Sequence, residues 1–570
     1  MSAHRSLFIA GALSMGLAFL LIAEVALRLA GFGGRPPLFV DAPGAPGYRH
    51  TNPEVMQRYY SGTVDVAATI EPILFRADRP TAGHRFVVQG GSTAAGFPYG
   101  RWGGLAGMLG DRLEAIFPDL EIEVITTAMA AVNSYTLLDL VDEIIEIEPD
   151  AVLIYAGHNE YLGVLGVGSA LGGGRSRTAT LAYIKLRQLG LYRIIESCVG
   201  LARGSFGSAG ESDPQSLFAR AAGGSLIPFG SDAYHRGRIQ FEANLGEVLR
   251  RYRDAGIPVY VGTLVSNEKD QAPFAGNSAR DWYVRAQQER ASGRLERART
   301  AFQNARDHDE LRFRAPTSFN AGLREMVERF GATLVDVDAA FRAAAPDGTL
   351  GQELLLEHVH PNAEGYFLLA STYLAGLKRD GWIGDWSHAP SEAEARRDMP
   401  ITVIDRILAE YAVAELKAGF PFRELAGPYA LPTPQSEMDT LAQLLQRGEL
   451  DWLHAMDRLL QIYRRADRFE DAALVARLGA QAYPTEHGPN HAAGMLYMEL
   501  NQPARARRYL ERASRAKSDD QTALEALIRA DRQIGALADA REHIGELRRR
   551  APNHPMVRRQ ARDRAAAPGS

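Results

Sequence analysis

From about residue 80 to 265 the chain alternates short apolar runs with longer stretches of helical periodicity. That alternation restricts the fold more than any other feature. Arg85–Gln89, Glu121–Thr126, Asp150–Tyr155 and Val259–Leu264 read as strands. Trp102–Phe117, Ser134–Ile147 and residues 232–255 read as the helices between them. Strands joined through crossover helices give a parallel sheet with helices on both faces. Thr333–Val337 supplies a late strand, and another helix follows Pro361.

Open parallel sheets collect reactive groups at the carboxyl ends of their strands. Three segments fall there. Gly90-Gly91-Ser92-Thr93 follows the apolar run Phe86–Val88, and its glycines let the chain turn and present Ser92. Gly157-His158-Asn159-Glu160 ends the strand at Tyr155. Asn159 there is either an amide donor to a developing oxyanion or a cap for the next helix. Glu357-His358-Val359-His360-Pro361-Asn362 lies far along the chain, with a proline that fixes the start of a helix. A hydroxyl, an imidazole and an acid suggest nucleophilic acyl chemistry, with His360 as base and Glu357 orienting its ring. His358 competes for the base role, although its side chain is expected to point the other way. Asp336 and Asp338 are the reserve orienting acids. No ligand cluster accompanies the two histidines, so neither metal nor cofactor is expected.

These residues resemble the SGNH (GDSL-like) hydrolase family. Ser92 falls where the family has its block I serine, Asn159 where it has the asparagine of Gly-x-Asn-Asp, and His360 where it has the histidine of Asp-x-x-His-Pro. The resemblance covers about 85–378. It implies a flavodoxin-like three-layer α/β/α sandwich and serine-based ester hydrolysis or acyl transfer without a metal. It also implies an oxyanion hole from the backbone of Ser92, the backbone of Ala128 and the side chain of Asn159. Ala128 stands where the family has glycine, and Glu357 and Glu160 stand where it has aspartate. An acyltransferase, or an inactive scaffold that binds partners, are the competing readings.

At 570 residues more than one domain is required. Residues 1–34 read as a signal anchor and linker, because Leu7–Ala23 is a run of seventeen residues without charge after Arg5. That reading sends the catalytic domain, 80–390, to the extracytoplasmic side of a membrane and gives it an ester-bearing envelope substrate. Two insertions interrupt the domain: Gly-rich 161–231, a lid or a surface excursion, and 279–316, a helical hairpin. A helical connector is expected over 400–448.

Residues 450–555 carry a 34-residue period. Ala472, Ala506 and Ala540 repeat at that interval, as do Pro484, Ser518 and Pro552. This resembles stacked all-α tetratricopeptide hairpins, with a surface for a protein partner or self-association. A basic tail, 556–570, follows. From 501 onward 16 Arg/Lys face 9 Asp/Glu, but the whole chain carries −5, which argues against nucleic-acid binding. The single cysteine, Cys198, excludes an intramolecular disulfide and reads as a buried thiol within Ile194–Val199.

Overall fold

Strands that are buried on both faces need apolar side chains at every position, and the central ones here have them. Phe86, Val87 and Val88, and Ala151 through Tyr155, are all buried. The computed structural model describes residues 2–31, 34–59, 70–169, 176–206, 225–387, 389–423 and 429–559. Its main sheet has five strands: β1 (Gly83–Gly90), β2 (Glu121–Thr126), β3 (Ala151–Tyr155), β4 (Val259–Gly262) and β5 (Thr333–Val335). All pair in parallel, in the order β2-β1-β3-β4-β5.

Helices Leu105–Ile116 and Ala363–Asp380 pack together on one face of this sheet. Ser134–Glu146, Asp232–Asp254 and Thr317–Phe330 group on the other. The result is the expected three-layer α/β/α sandwich. Caps fix where the helices begin. Asn133 accepts from Tyr135 N–H, Ser231 from Tyr234 N–H, and Asn362 from Gly365 N–H. The chain leaves β1 for β2 on one side, then crosses back to place β3 on the other. The crevice where the order reverses therefore lies between the ends of β1 and β3, with Gly90 opposite Tyr155.

A second sheet is absent from the sequence reading. Phe39–Asp41, Tyr48–Thr51 and Leu74–Arg76 form three antiparallel strands between the expected linker, which ends at 34, and the α/β domain. Arg85 joins the two sheets: its guanidinium donates to Glu123 (2.7 Å) and to the carbonyl of Arg76 (2.7 Å). Inside the α/β domain, Asn277–Ala291 and Leu295–Asp307 form a helical hairpin with its own small core around Ala298 and Phe302.

The expected membrane anchor is overturned. Residues Ser2–Leu29 are helical, but among the described residues no helix is long and apolar enough to cross a membrane. The extracytoplasmic placing that followed from the anchor falls with it. The helix is tied to protein at its far end, where Glu24 accepts from the backbone of Gly190 (3.1 Å) and Leu191 (3.0 Å) and pairs with Arg28 (2.8 Å). Arg28 and the N-terminus of helix Gly190–Phe206 hold its carboxyl below the usual range against the opposing effect of burial. Helix Arg177–Leu186 also lies in the first insertion, with Arg177 bonded to Asn244 (2.7 Å) on the sandwich's outer layer. The remainder of that insertion, 170–175 and 207–224, and the tail from 560 fall outside the described residues. Cys198 is exposed, contrary to expectation, on a helix whose Ile194, Ile195 and Val199 are exposed too.

The C-terminal region is all helix. After Val403–Ala418 and Glu437–Gln446 come six helices from Trp452 to Arg550, each packed on the next. Helices beginning at Phe469, Pro503 and Leu537 start 34 residues apart. Ala472, Ala506 and Ala540 are buried within them, where a small side chain lets neighbouring helices approach.

Candidate active site

The turn after β1 is built around two glycines, of which the first has no room for a side chain and the second has little. A Cβ on Gly90 would lie 2.1 Å from the Tyr155 carbonyl oxygen and 2.5 Å from Ala94 Cβ. One on Gly91 would lie 3.0 Å from Asn159 Nδ2. Ser92 then opens a one-turn helix, Ser92–Ala95, whose N-cap is Gly91 and has no side-chain cap. Tyr366, on helix Ala363–Asp380, donates its hydroxyl toward the carbonyls of Thr93 (3.0 Å) and Phe97 (2.6 Å) and fixes the far side of the turn.

His360 reaches the same place from the other end of the domain. Its carbonyl accepts from Leu356 N–H (2.8 Å), closing a short turn just before the Asn362 cap. Its Nε2 stands 2.7 Å from Ser92 Oγ, and its Nδ1 meets Glu357 Oε1. With Nδ1–H donated to the carboxylate, Nε2 is left to accept the Ser92 proton. Phe97 lies against the His360 ring, with centroids 4.6 Å apart.

The Glu357 side chain is fully buried. Oε1 also accepts from His360 N–H (3.1 Å), while Oε2 takes His358 Nδ1 and, at 3.4 Å, Val359 N–H. Burial alone would raise its pKa. The adjoining His358 and His360 rings overcome that effect and hold the carboxyl well below the carboxylate range. Glu357, His358 and His360 come close enough together to share a cation. As placed, however, both ring nitrogens facing the carboxylate are engaged with it as hydrogen-bond partners.

Asn159 is buried in the loop after β3, its amide against Gly91 and beside the turn that carries Ser92. The backbone N–H of Ala128 is engaged elsewhere: it donates to Thr126 Oγ1 at 3.2 Å. Asp336 and Asp338 are occupied away from His360. Asp336 binds Arg324 (2.7 Å) and Thr263 (3.0 Å), and Asp338 binds Arg342 (3.1 Å). Glu160 turns from the site into the core, where it accepts from Ser134 N–H (3.0 Å) and Oγ (2.8 Å). Burial pushes its carboxyl up to about 7 despite those bonds. His158 accepts from Ala315 N–H (3.2 Å), and burial drives its pKa down to about 3, so it is neutral.

Two groups near the site carried no sequence signal. Phe97 is one, since nothing local announces a ring contact with His360. The other is Phe422, beyond the sandwich, whose ring is 5.4 Å from that of His358. Cavities of about 620 and 680 Å³ open where the helical region meets the sandwich; Ser92, Asn159 and His360 line neither.

Residues 88–368 match the GDSL-like Lipase/Acylhydrolase family. No curated protein matches the chain. Among solved structures, a GDSL-like lipase from Parabacteroides merdae is 11% identical with a TM-score of 0.29, over 53% of this chain and 98% of its own. A GDSL-like lipase from Bacteroides thetaiotaomicron is 11% identical with a TM-score of 0.27, over 52% and 89%. A catalytic mutant of an acetylxylan esterase from Geobacillus stearothermophilus is 16% identical with a TM-score of 0.28, over 54% and 96%. The chain thus carries, over close to half its length, a domain of the GDSL-like lipase/acylhydrolase family, and with it an ester-bond hydrolase.

Proposed function

We propose that the domain hydrolyses carboxylic esters through a Ser92–His360–Glu357 triad. The contact that carries this reading is Ser92 Oγ to His360 Nε2 at 2.7 Å, with the ring's other nitrogen on a buried carboxylate. His360 takes the hydroxyl proton as Oγ bonds to the ester carbonyl carbon, and the carbonyl oxygen becomes an oxyanion. The Ser92 N–H and the Asn159 amide hold that oxyanion. Ala128 joins them only when its N–H leaves Thr126. The carbon–oxygen bond to the alcohol breaks, and the alcohol departs with the proton from His360. Water, deprotonated by the same ring, then cleaves the acyl-serine and restores the enzyme.

Replacing Ser92 with alanine removes the nucleophile and spares the fold. Hydrolysis of p-nitrophenyl acetate is expected to drop at least a thousandfold with an unchanged melting temperature, and labelling by a fluorophosphonate is expected to vanish. Retained turnover in Ser92→Ala would overturn the triad. For residues 452–550 we read tetratricopeptide-like repeats, supported by the 34-residue spacing of their second helices and by the buried alanines at the repeated position.

A further inference from the structure

Glutamate in the place of the orienting acid brings one more rotatable bond than aspartate, and a buried carboxylate needs donors for both oxygens. Glu357 Oε1 has two close donors, both from His360. Oε2 has one long amide contact, from Val359 at 3.4 Å, and the Nδ1 of His358. Without His358 that oxygen would be ionised, buried and nearly unpaired. A tilt of the carboxylate toward a better donor would then turn Oε1 away from His360.

Resting on the triad reading, we propose that His358 is a positioning residue: a neutral imidazole that donates to the second oxygen of Glu357 and locks the long acid arm against His360. Its surroundings suit that task. The ring is held by Phe274 (centroids 6.0 Å), Phe313 (6.0 Å) and Phe422 (5.4 Å), and stands edge-on to His360 at 5.6 Å. The charged and titratable groups that face it are Glu357, His360, His158 and Arg314. His158 is neutral, and Arg314 is paired with Asp309 at 3.0 Å. Burial lowers the pKa of His358 despite the carboxylate beside it. Neutrality matters, because a second imidazolium would draw the carboxylate's charge away from His360. Phe422 comes from the segment after helix Val403–Ala418, outside the family-matched residues. The segment beyond that helix thereby reaches His358 through one ring.

Loss of the His358 donor lets Oε1 of Glu357 turn away from His360, which weakens the carboxylate's hold on the protonated ring. The acid limb of the pH profile of kcat/KM must then move to lower pH. In His358→Phe, kcat for p-nitrophenyl acetate is expected to fall ten- to hundredfold with KM within about twofold. The acid limb is expected to move down by half a pH unit or more. His358→Asn, which keeps an amide donor near the Nδ1 position, is expected to return the limb and most of the rate. Equal losses in both variants with an unmoved limb would mean that the ring only fills space, and would overturn the proposal. Should His358→Phe not fold, ¹⁵N-histidine NMR of the wild type decides: a downfield, slowly exchanging proton assigned to His358 Nδ1 is expected beside that of His360, and its absence overturns the proposal. Ser92→Ala run alongside separates the two readings. An active Ser92→Ala sinks the triad and this proposal together, whereas an inactive one with an unmoved limb in His358→Phe sinks the proposal alone.

Discussion

Asn159 and Glu160 are neighbours in one motif with unlike environments. The Asn159 amide faces the Ser92 turn, while the Glu160 carboxyl is sealed in the core on Ser134. On the proposed mechanism Asn159→Ala is expected to lower kcat about a hundredfold with little change in stability, as loss of one oxyanion donor does; single-turnover rates check this. Glu160 instead makes stability depend on pH. Its folded pKa is about 7, above the ordinary 4.5, so the native state binds its proton more tightly than the unfolded chain does. The contribution is fully present below pH 4.5, declines as pH rises toward 7 and is gone above it. By linkage it amounts to about 3 kcal/mol. Melting temperature should therefore fall between pH 5 and pH 8 in the wild type, and Glu160→Gln should flatten that slope.

At the level of elements, the turn that carries Ser92 is held by close backbone approach. Gly90 touches both β3 and the helix that opens with Ser92, so Gly90→Ala must push strand and helix apart. A cost of about 3 kcal/mol is expected, at the upper end of overpacking effects, and is measurable as a lower midpoint in urea. Helices followed from periodicity, and the structure adds the caps that fix their starts, as at Asn133 and Ser231. The antiparallel sheet from Phe39 to Arg76 did not. Its strands are three or four residues long and are separated by loops, too short for alternation to stand out.

Across the whole molecule, the helical region is fastened to the sandwich by charge. Arg477 pairs with Asp111, Arg508 with Glu114 at 2.9 Å, and Trp102 stacks on Trp452 at 6.1 Å. Arg477 is nearly buried, so Arg477→Leu strands Asp111 without a counter-ion. A loss of about 3 kcal/mol is expected, the cost of breaking a buried pair. In calorimetry the two regions should then melt in separate steps.

The sequence by itself determined the parallel α/β sandwich, the helical period of 34, and the three segments that carry serine, asparagine and histidine. Each is written in local signals: apolar runs, caps, glycine turns and repeat spacing. Only tertiary structure decided how Ala128, Asp336 and Asp338 are occupied, and that Phe97 and Phe422 lie against the two histidines. It also decided that Glu24 is captured by the backbone at Gly190. Those facts depend on contacts between residues tens to hundreds of positions apart, and local pattern holds no record of which distant partner arrives.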